Sequence, residues 1–400
     1  MLYGRINDFE LQNVSRCIGI IVFLSLFINC KNDSKANADN RAESEKELVA
    51  QDYVEPGIKW GYIDRSGAIT ISEKFDDCRE FSNGLAAASK AGLWGYIDTK
   101  GKWKIEPNYR GAWSFKEGLA KVKVLDGKYG YLDSDGKMVV EANWDDADNF
   151  YEGFAKVAKN NRYQFITENG KLLTEDNWDR ASRFENGFAT ISNGGWWGLI
   201  DASGKITVNP IYESIGIMRN NRAPIEIKGH WGYIDSLGNA VIPPKYENAI
   251  EFQNNVAVVK NGDQWLWIDT LGQVLQRQTC DLVFELGLDR WAAWRQDTYA
   301  LVSHEGKMLT PFQYSQLNKF NEGLAVFGKE GTYGFLDTTG EHRISNIFLL
   351  AWDFKNGAAR YSLGKGMGFI NPTGKSFYEE LFPDVRDYNE GLAKVQTVHR

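Results

Sequence analysis

From Trp60 onward, apolar and polar residues alternate in short bursts of four to six, divided by Gly- and Asp-rich interruptions. A period of two, broken every few residues by turn formers, predicts short antiparallel strands rather than amphipathic helices. The phrase Trp-Gly-Tyr-Ile-Asp heads such a burst at Trp60, Trp94 and Trp231, and variants of it begin at Tyr129, Tyr163, Trp197, Trp265, Tyr299, Tyr333 and Met367. These leads are 34 residues apart, with a single 35 after Trp94, so residues 60–400 read as ten copies of one unit. Self-similarity at a fixed period marks an array whose neighbours complete one another's cores.

Comparing the ten copies gives each slot a physical reading. The lead aromatic and the residue two on, as in Trp94 and Tyr96, share one strand face. The Gly between them (61, 95, 130, 198, 232, 334, 368) leaves room for a neighbouring ring or backbone. Four residues after the lead comes Asp64, Asp98, Asp133, Asp201, Asp235, Asp269 or Asp337, followed three later by Gly. Asp-x-x-Gly is a turn signature, in which the carboxylate accepts backbone NH groups and Gly takes a positive φ. Thr167, Ser303 and Asn371 fill the same slot and can close the same turn, but Thr and Ser are poor ligands for a hard cation. The row therefore reads as turns and not as a calcium or catalytic set.

Further along, an aromatic at offset 15, a small residue at 18 and a ring at 21, as in Tyr109, Ala112 and Phe115, predict one helical or 3₁₀ turn laid across the strands. Gly at offset 24, replaced only by Asn221, Asn255 and Asp289, marks a left-handed backbone position. The unit is expected to run strand, turn, strand, helical turn, Gly, strand. The fold class is mainly β. Three strands per unit and ten units fall outside the usual four strands and four to eight blades of a propeller, which favours an open superhelical array. The alternative is a closed, propeller-like toroid, because the first unit begins with a strand lacking its hairpin partner and the last ends with an unpaired one at 392–395.

The Trp-Gly-Tyr-Ile-Asp phrase, the Asp-x-x-Gly turn and the Phe-x-x-Gly-Leu-Ala segment at 81–86, 115–120 and 320–325 together resemble the WG, or KWG, repeat family of bacterial proteins. The resemblance covers some 85% of the chain, residues 60–400. It implies a β-rich repeat and an extracytoplasmic or interaction role, and it supplies no catalytic residues. The copies headed by Tyr163, Trp197 and Trp265 depart most, with Gln164 and Leu266 in the Gly slot and Cys280 in the aromatic slot.

Ahead of the array, Ile18 to Ile28 form an apolar run flanked by Arg16 and ended by Asn29 and Cys30. The run is about half the ~20 residues that a membrane-spanning helix needs, and reads as the core of a signal peptide. Run and cysteine resemble the lipobox of bacterial lipoproteins in the relaxed form of spirochaetes, which implies cleavage before Cys30 and a palmitate-type lipid on it. Asp8 and Glu10 are unusual in a signal and point to a start nearer Val14. The polar stretch after Cys30 has no aromatic before Tyr53 and reads as a disordered tether. A flexible chain of that length reaches roughly 25 to 30 Å, enough to hold a folded body clear of lipid headgroups. The chain thus divides into a signal at 1–29, lipidated cysteine and tether at 30–58, and the array at 59–400.

Charge removes one class of partner: 46 basic against 53 acidic residues leave a net charge of -7, unsuited to neutralising a nucleic-acid backbone. Candidate chemistry removes others. Cys78 and Cys280 occupy slots that are small or aromatic in sister copies and read as buried fillers, and no Cys-x-x-Cys occurs. His230, His304, His342 and His399 fall in unrelated slots, and the chain carries no zincin, phosphate-loop or nucleophile-elbow motif. No enzyme, metal or cofactor is expected. Binding is expected instead from apolar residues in slots that are mostly polar: Trp113 and Trp352 at offset 19, Trp196 just before a lead, and Trp294 in a last strand. These readings combine into a lipid-anchored envelope protein, at the outer membrane rather than the inner, whose array binds an envelope or host protein. The alternative is a carbohydrate or peptidoglycan binder that uses the same tryptophans as platforms for sugar rings.

Overall fold

The computed structural model describes residues 58–398. Ten antiparallel sheets follow one another around a ring, each a propeller-like blade. Blade 2 shows the pattern. Its strands run in chain order from the inner edge outward: Asp77–Cys78, Leu85–Lys90, Leu93–Asp98 and Trp103–Tyr109. The first two come from the copy headed by Trp60 and the last two from the copy headed by Trp94, so every repeat straddles two blades. Seven of the ten blades have four strands where the sequence suggested three, because a two-residue strand such as Gly111–Ala112 is too short to show a period, and the other three have three.

The ring is closed, which corrects the open superhelix and matches the alternative, a propeller-like toroid. In blade 1 the strand Ile58–Ile63 pairs with Leu392–Val398 over six residue pairs, from Ile58↔Val398 to Ile63↔Ala393. The two chain ends supply halves of one sheet of order 69–75, 58–63, 392–398, 384–389. Closure leaves no unpaired blade edge at the ends of the array, and such edges are what an open β array must otherwise protect. The Tyr388 hydroxyl donates to the Asp64 carbonyl at 2.8 Å across this seam.

No helix occurs among the described residues, which corrects the helical turn expected at offsets 15–21. Tyr109 ends an outer strand opposite Trp94, Gly111–Ala112 opens the inner edge of blade 3, and Phe115 follows. The spacing of three arises as the chain crosses from one blade to the next, and it turns Tyr109, Ala112 and Phe115 into one cluster between them. There Phe115 packs on Tyr96 with ring centroids 5.1 Å apart, and the Tyr96 hydroxyl donates to the Trp113 carbonyl at 2.9 Å. Tyr62–Phe81, Tyr233–Phe252 and Phe335–Phe354 repeat the contact at 4.8, 4.8 and 4.9 Å. Each such ring pair adds roughly 0.5–1.5 kcal/mol beyond its area burial. Cys78 and Cys280 are buried in these clusters as apolar fillers.

The glycine after the lead aromatic answers a backbone, not a ring. In blade 2 Trp94 pairs with Tyr109 and Tyr96 with Ile105, so the outer strand holds two extra residues opposite Gly95. That bulge brings the Ile105 carbonyl to 2.4 Å from where a Cβ would stand. Gly61, Gly130, Gly198, Gly232 and Gly334 meet the same carbonyl at 2.2–2.7 Å. In blade 7, where Leu266 fills the slot, the outer strand Val274–Gln278 pairs in a tighter register, Trp265↔Gln278 and Leu266↔Arg277.

The turn aspartates act on the backbone. Asp98 Oδ1 accepts from the NH groups of Lys100 and Lys102, both at 2.9 Å, and the Gly101 NH donates to the Asp98 carbonyl at 2.9 Å. Asn371 closes its turn the same way, at 3.0 Å twice, and Ser303 Oγ accepts from Lys307 NH at 3.1 Å. These two copies and the one headed by Tyr163, which carries Thr167, also share an outer segment held by isolated bridges instead of a regular strand. The Lys102 NH, then that of Lys100, holds the Asp98 carboxyl below its ordinary value of 3.8 against slight desolvation. The Ser66 hydroxyl does so for Asp64 and the Asn239 amide for Asp235. A carboxyl whose pKa is lower folded than unfolded stabilises above its unfolded pKa and loses that contribution as pH falls through the folded one. Acid titration followed by circular dichroism is expected to show stability falling below about pH 4. Asp98→Asn is expected to lessen that fall, and Asp98→Ala to cost about 1 kcal/mol at neutral pH, as for other capping losses.

Candidate functional site

Most recurrent polar side chains are committed to holding the blades. The acid at offset 16 caps the hairpin ahead of the next lead: Asp145 accepts from Asn160 NH at 2.7 Å, Asp179 from Gly194 NH at 2.7 Å and Glu247 from Gly262 NH at 2.9 Å. Asp76, Asp145 and Asp179 also pair with Lys59, Lys128 and Arg162. Sequence reasoning missed this cap, although six acids in that slot were its signal. At the opposite ends of the strands, residues 117 and 118 both take positive φ, 51° and 83°, in a tight two-residue turn. There the Glu117 carboxylate receives the NH groups of Glu152 and Gly153 at 2.8 and 2.9 Å, and Glu152 receives those of Asn186 and Gly187, both at 2.8 Å. Glu390 continues the relay over the seam to Gly84 NH at 2.9 Å.

Apolar side chains break this pattern at a few places. Leu237 and Leu271 fill neighbouring copies of a turn slot that is polar elsewhere and are 72% and 69% exposed. Leu349 stands where other copies carry the capping acid. It lies 3.0 Å from where a Cβ on Gly364 would sit, and Leu350 and Leu363 are exposed with it on blade 10.

The four tryptophans singled out by sequence sit on four different blades. Trp196 is exposed, at the end of the strand Trp196–Asp201 in blade 5. Trp113, Trp294 and Trp352 are half-buried. Trp113 lies beside Tyr129 at 5.8 Å, with the Lys121 ammonium 4.6 Å above its ring. Trp294 pairs across the hairpin of blade 8 with Tyr299. Trp352 carries the Arg360 guanidinium 4.7 Å over its ring.

Near the ring axis the inner edges meet. Lys355 of blade 10 reaches Glu80 of blade 2 at 2.9 Å, past blade 1. Arg219 of blade 6 reaches Glu285 of blade 8 at 3.5 Å, past blade 7, and Glu185 of blade 5 at 2.9 Å. Burial works against the Arg219 charge, yet Glu185, Glu285 and Glu251 together raise its pKa above the ordinary arginine value. On the seam side a cavity of about 430 Å³ is lined by Glu80, Lys116, Asn321, Glu322, Lys355 and Asn389, among others. A second, of about 240 Å³, shares Asn321, Phe354 and Lys355 with it and adds Trp352, Asp353, Arg360 and Asp387. Arg360 is 8% exposed, donates from Nε to Asp387 at 2.5 Å and from Nη1 to the Val385 carbonyl at 3.3 Å. Sequence comparison marked Trp352 alone of this group.

Among solved structures the chain is similar to a eukaryotic initiation factor, at 12% identity over 85% of this chain and 98% of that one, with a TM-score of 0.45. It is also similar to BamB from Moraxella catarrhalis, at 12% over 80% and 96% with a TM-score of 0.33, and to the WD40 propeller domain of Doa1, at 10% over 56% and 90% with a TM-score of 0.28. No curated protein matches it. The family model of the WG-containing repeat matches residues 60–94, 94–129, 129–163, 197–229, 231–265, 299–333 and 367–397. Between those segments lie the copies headed by Tyr163 and Trp265, already marked as divergent, and the one headed by Tyr333, whereas the copy at Trp197 fits. With more than half of its length matched, this chain belongs to the WG-containing repeat family.

Proposed function

We propose that this protein is a non-enzymatic, lipid-anchored component of a bacterial cell envelope whose ring serves as a scaffold for another envelope or host protein. A closed ring of repeats is the kind of rigid frame that protein-interaction scaffolds use. The observation that carries the reading is the set of exposed apolar side chains Leu349, Leu350 and Leu363 on blade 10, with Leu349 in a slot that is acidic in six sister repeats, together with Trp196 on blade 5, where Lys59, Lys128 and Arg162 stand in others. The acids that Leu349 replaces cap hairpins and the cations that Trp196 replaces pair with those acids, roles that a leucine and an indole do not take. The anchor rests on the sequence: Cys30, the signal at 1–29 and the tether lie outside the described residues. In this reading Cys30 carries the lipid, and the outer membrane is the favoured address.

One experiment tests both halves. Full-length protein and Cys30→Ser are expressed in a lipoprotein-processing bacterium, fractionated, and exposed to a photo-cross-linker placed at position 363. Wild type is expected in the membrane fraction with a discrete cross-linked partner. Cys30→Ser is expected in the soluble fraction, and Leu349→Glu is expected to abolish the cross-link without lowering the unfolding midpoint. An unshifted Cys30→Ser removes the anchor, and a cross-link indifferent to Leu349→Glu removes the binding face.

A further inference from the structure

The seam-side axial cavities join an indole, a buried guanidinium and several amides. Arg360 is fixed from three sides, by the Trp352 ring, by Asp387 and by the Val385 carbonyl, so this wall is built before any ligand arrives. Such preorganisation lowers the cost of binding. The charged groups here nearly balance. Glu80 pairs with Lys355 and Asp387 with Arg360, and Glu322, Asp353 and Lys116 complete a lining with one carboxylate in excess. Strong anions and cations therefore gain little over water. Hydrogen-bond donors (the Lys116 ammonium and the amides of Asn321 and Asn389) alternate with carboxylate acceptors over a volume of about 430 Å³. That size lies within the range of small-molecule sites, and the adjoining cavity of about 240 Å³, which shares Asn321, Phe354 and Lys355 with it, brings in Trp352, Arg360 and Asp387. Trp352 adds an apolar surface that complements the CH-bearing face of a ring whose edges are hydroxylated.

We infer that this axial site binds a neutral saccharide, with Trp352 as the stacking platform and Asn321 and Asp387 hydrogen-bonding its hydroxyls. Trp352 follows the exposed Leu350 by two residues on blade 10, but the saccharide reading does not depend on the scaffold reading.

The test is calorimetric titration of the full-length protein in detergent with maltotriose, cellotriose and chitotriose, and with a polygalacturonate trimer as the anionic control. Saturable binding of at least one neutral trimer is expected, weakened at least tenfold by Trp352→Ala and by Asn321→Ala, and largely kept by Trp352→Phe. The unfolding midpoint of each variant separates lost contact from lost fold. Absence of saturable heat with all three neutral sugars overturns the inference. So does binding that Trp352→Ala leaves unchanged, or a preference for the anionic trimer.

Discussion

Truncation after Gly391 is expected to lower the urea midpoint sharply and to enlarge the particle in small-angle scattering. The missing strand Leu392–Val398 is an interior strand of blade 1, so its loss strips pairing from Ile58–Ile63 and from Asp384–Asn389 at once. Ala393 and Val395, both fully buried in the cluster between blades 10 and 1, go with it. Newly bare strand edges invite association between copies, so concentration-dependent aggregation should accompany the loss. Where the truncated chain is too unstable to purify, Val395→Asp asks the same question in full-length protein. A carboxylate at a position with no exposure is expected to cost about 4 kcal/mol. An unchanged midpoint and an unchanged radius for both variants would show that the seam contributes nothing to the ring.

Gly95→Ala is expected to destabilise by about 3 kcal/mol although it adds a single methyl group. The added Cβ stands 2.4 Å from the Ile105 carbonyl and 2.7 Å from the Pro107 nitrogen, both backbone atoms that yield only if the bulged outer strand moves. The reverse change is the control. Ala300 holds the same slot in blade 8, where the outer segment forms no regular strand and joins the lead strand through the bridges Tyr299↔Tyr314 and Val302↔Met308 and hydrogen bonds at Leu301. Ala300→Gly should therefore cost no more than about 1 kcal/mol, the entropy of an added glycine in a strand. Comparable urea midpoints for Gly95→Ala and wild type would refute the backbone account of this residue.

The repeat, its Asp-x-x-Gly turns and its interblade rings were legible in the sequence because each rests on local chemistry repeated in ten copies. Closure was not. A terminal strand seeking a partner looks the same whether that partner lies in a neighbouring molecule or at the far end of its own chain. The helical turn was misjudged because Tyr109, Ala112 and Phe115 repeat every three residues for a reason of path, the crossing between blades, and not of coil. At the axis, Trp352 announced itself by breaking its slot, whereas Asn321 and Asp387 are ordinary occupants of theirs. Only the curvature of the ring brings those residues, from three successive repeats, around one cavity.

The straddling of each repeat over two blades reaches beyond stability. A duplication or deletion of one whole 34-residue unit adds or removes half a sheet on each side of the cut, and the halves rejoin as complete blades. The circumference of the molecule can thus change in steps of one through unequal recombination, with the clasp between its ends untouched.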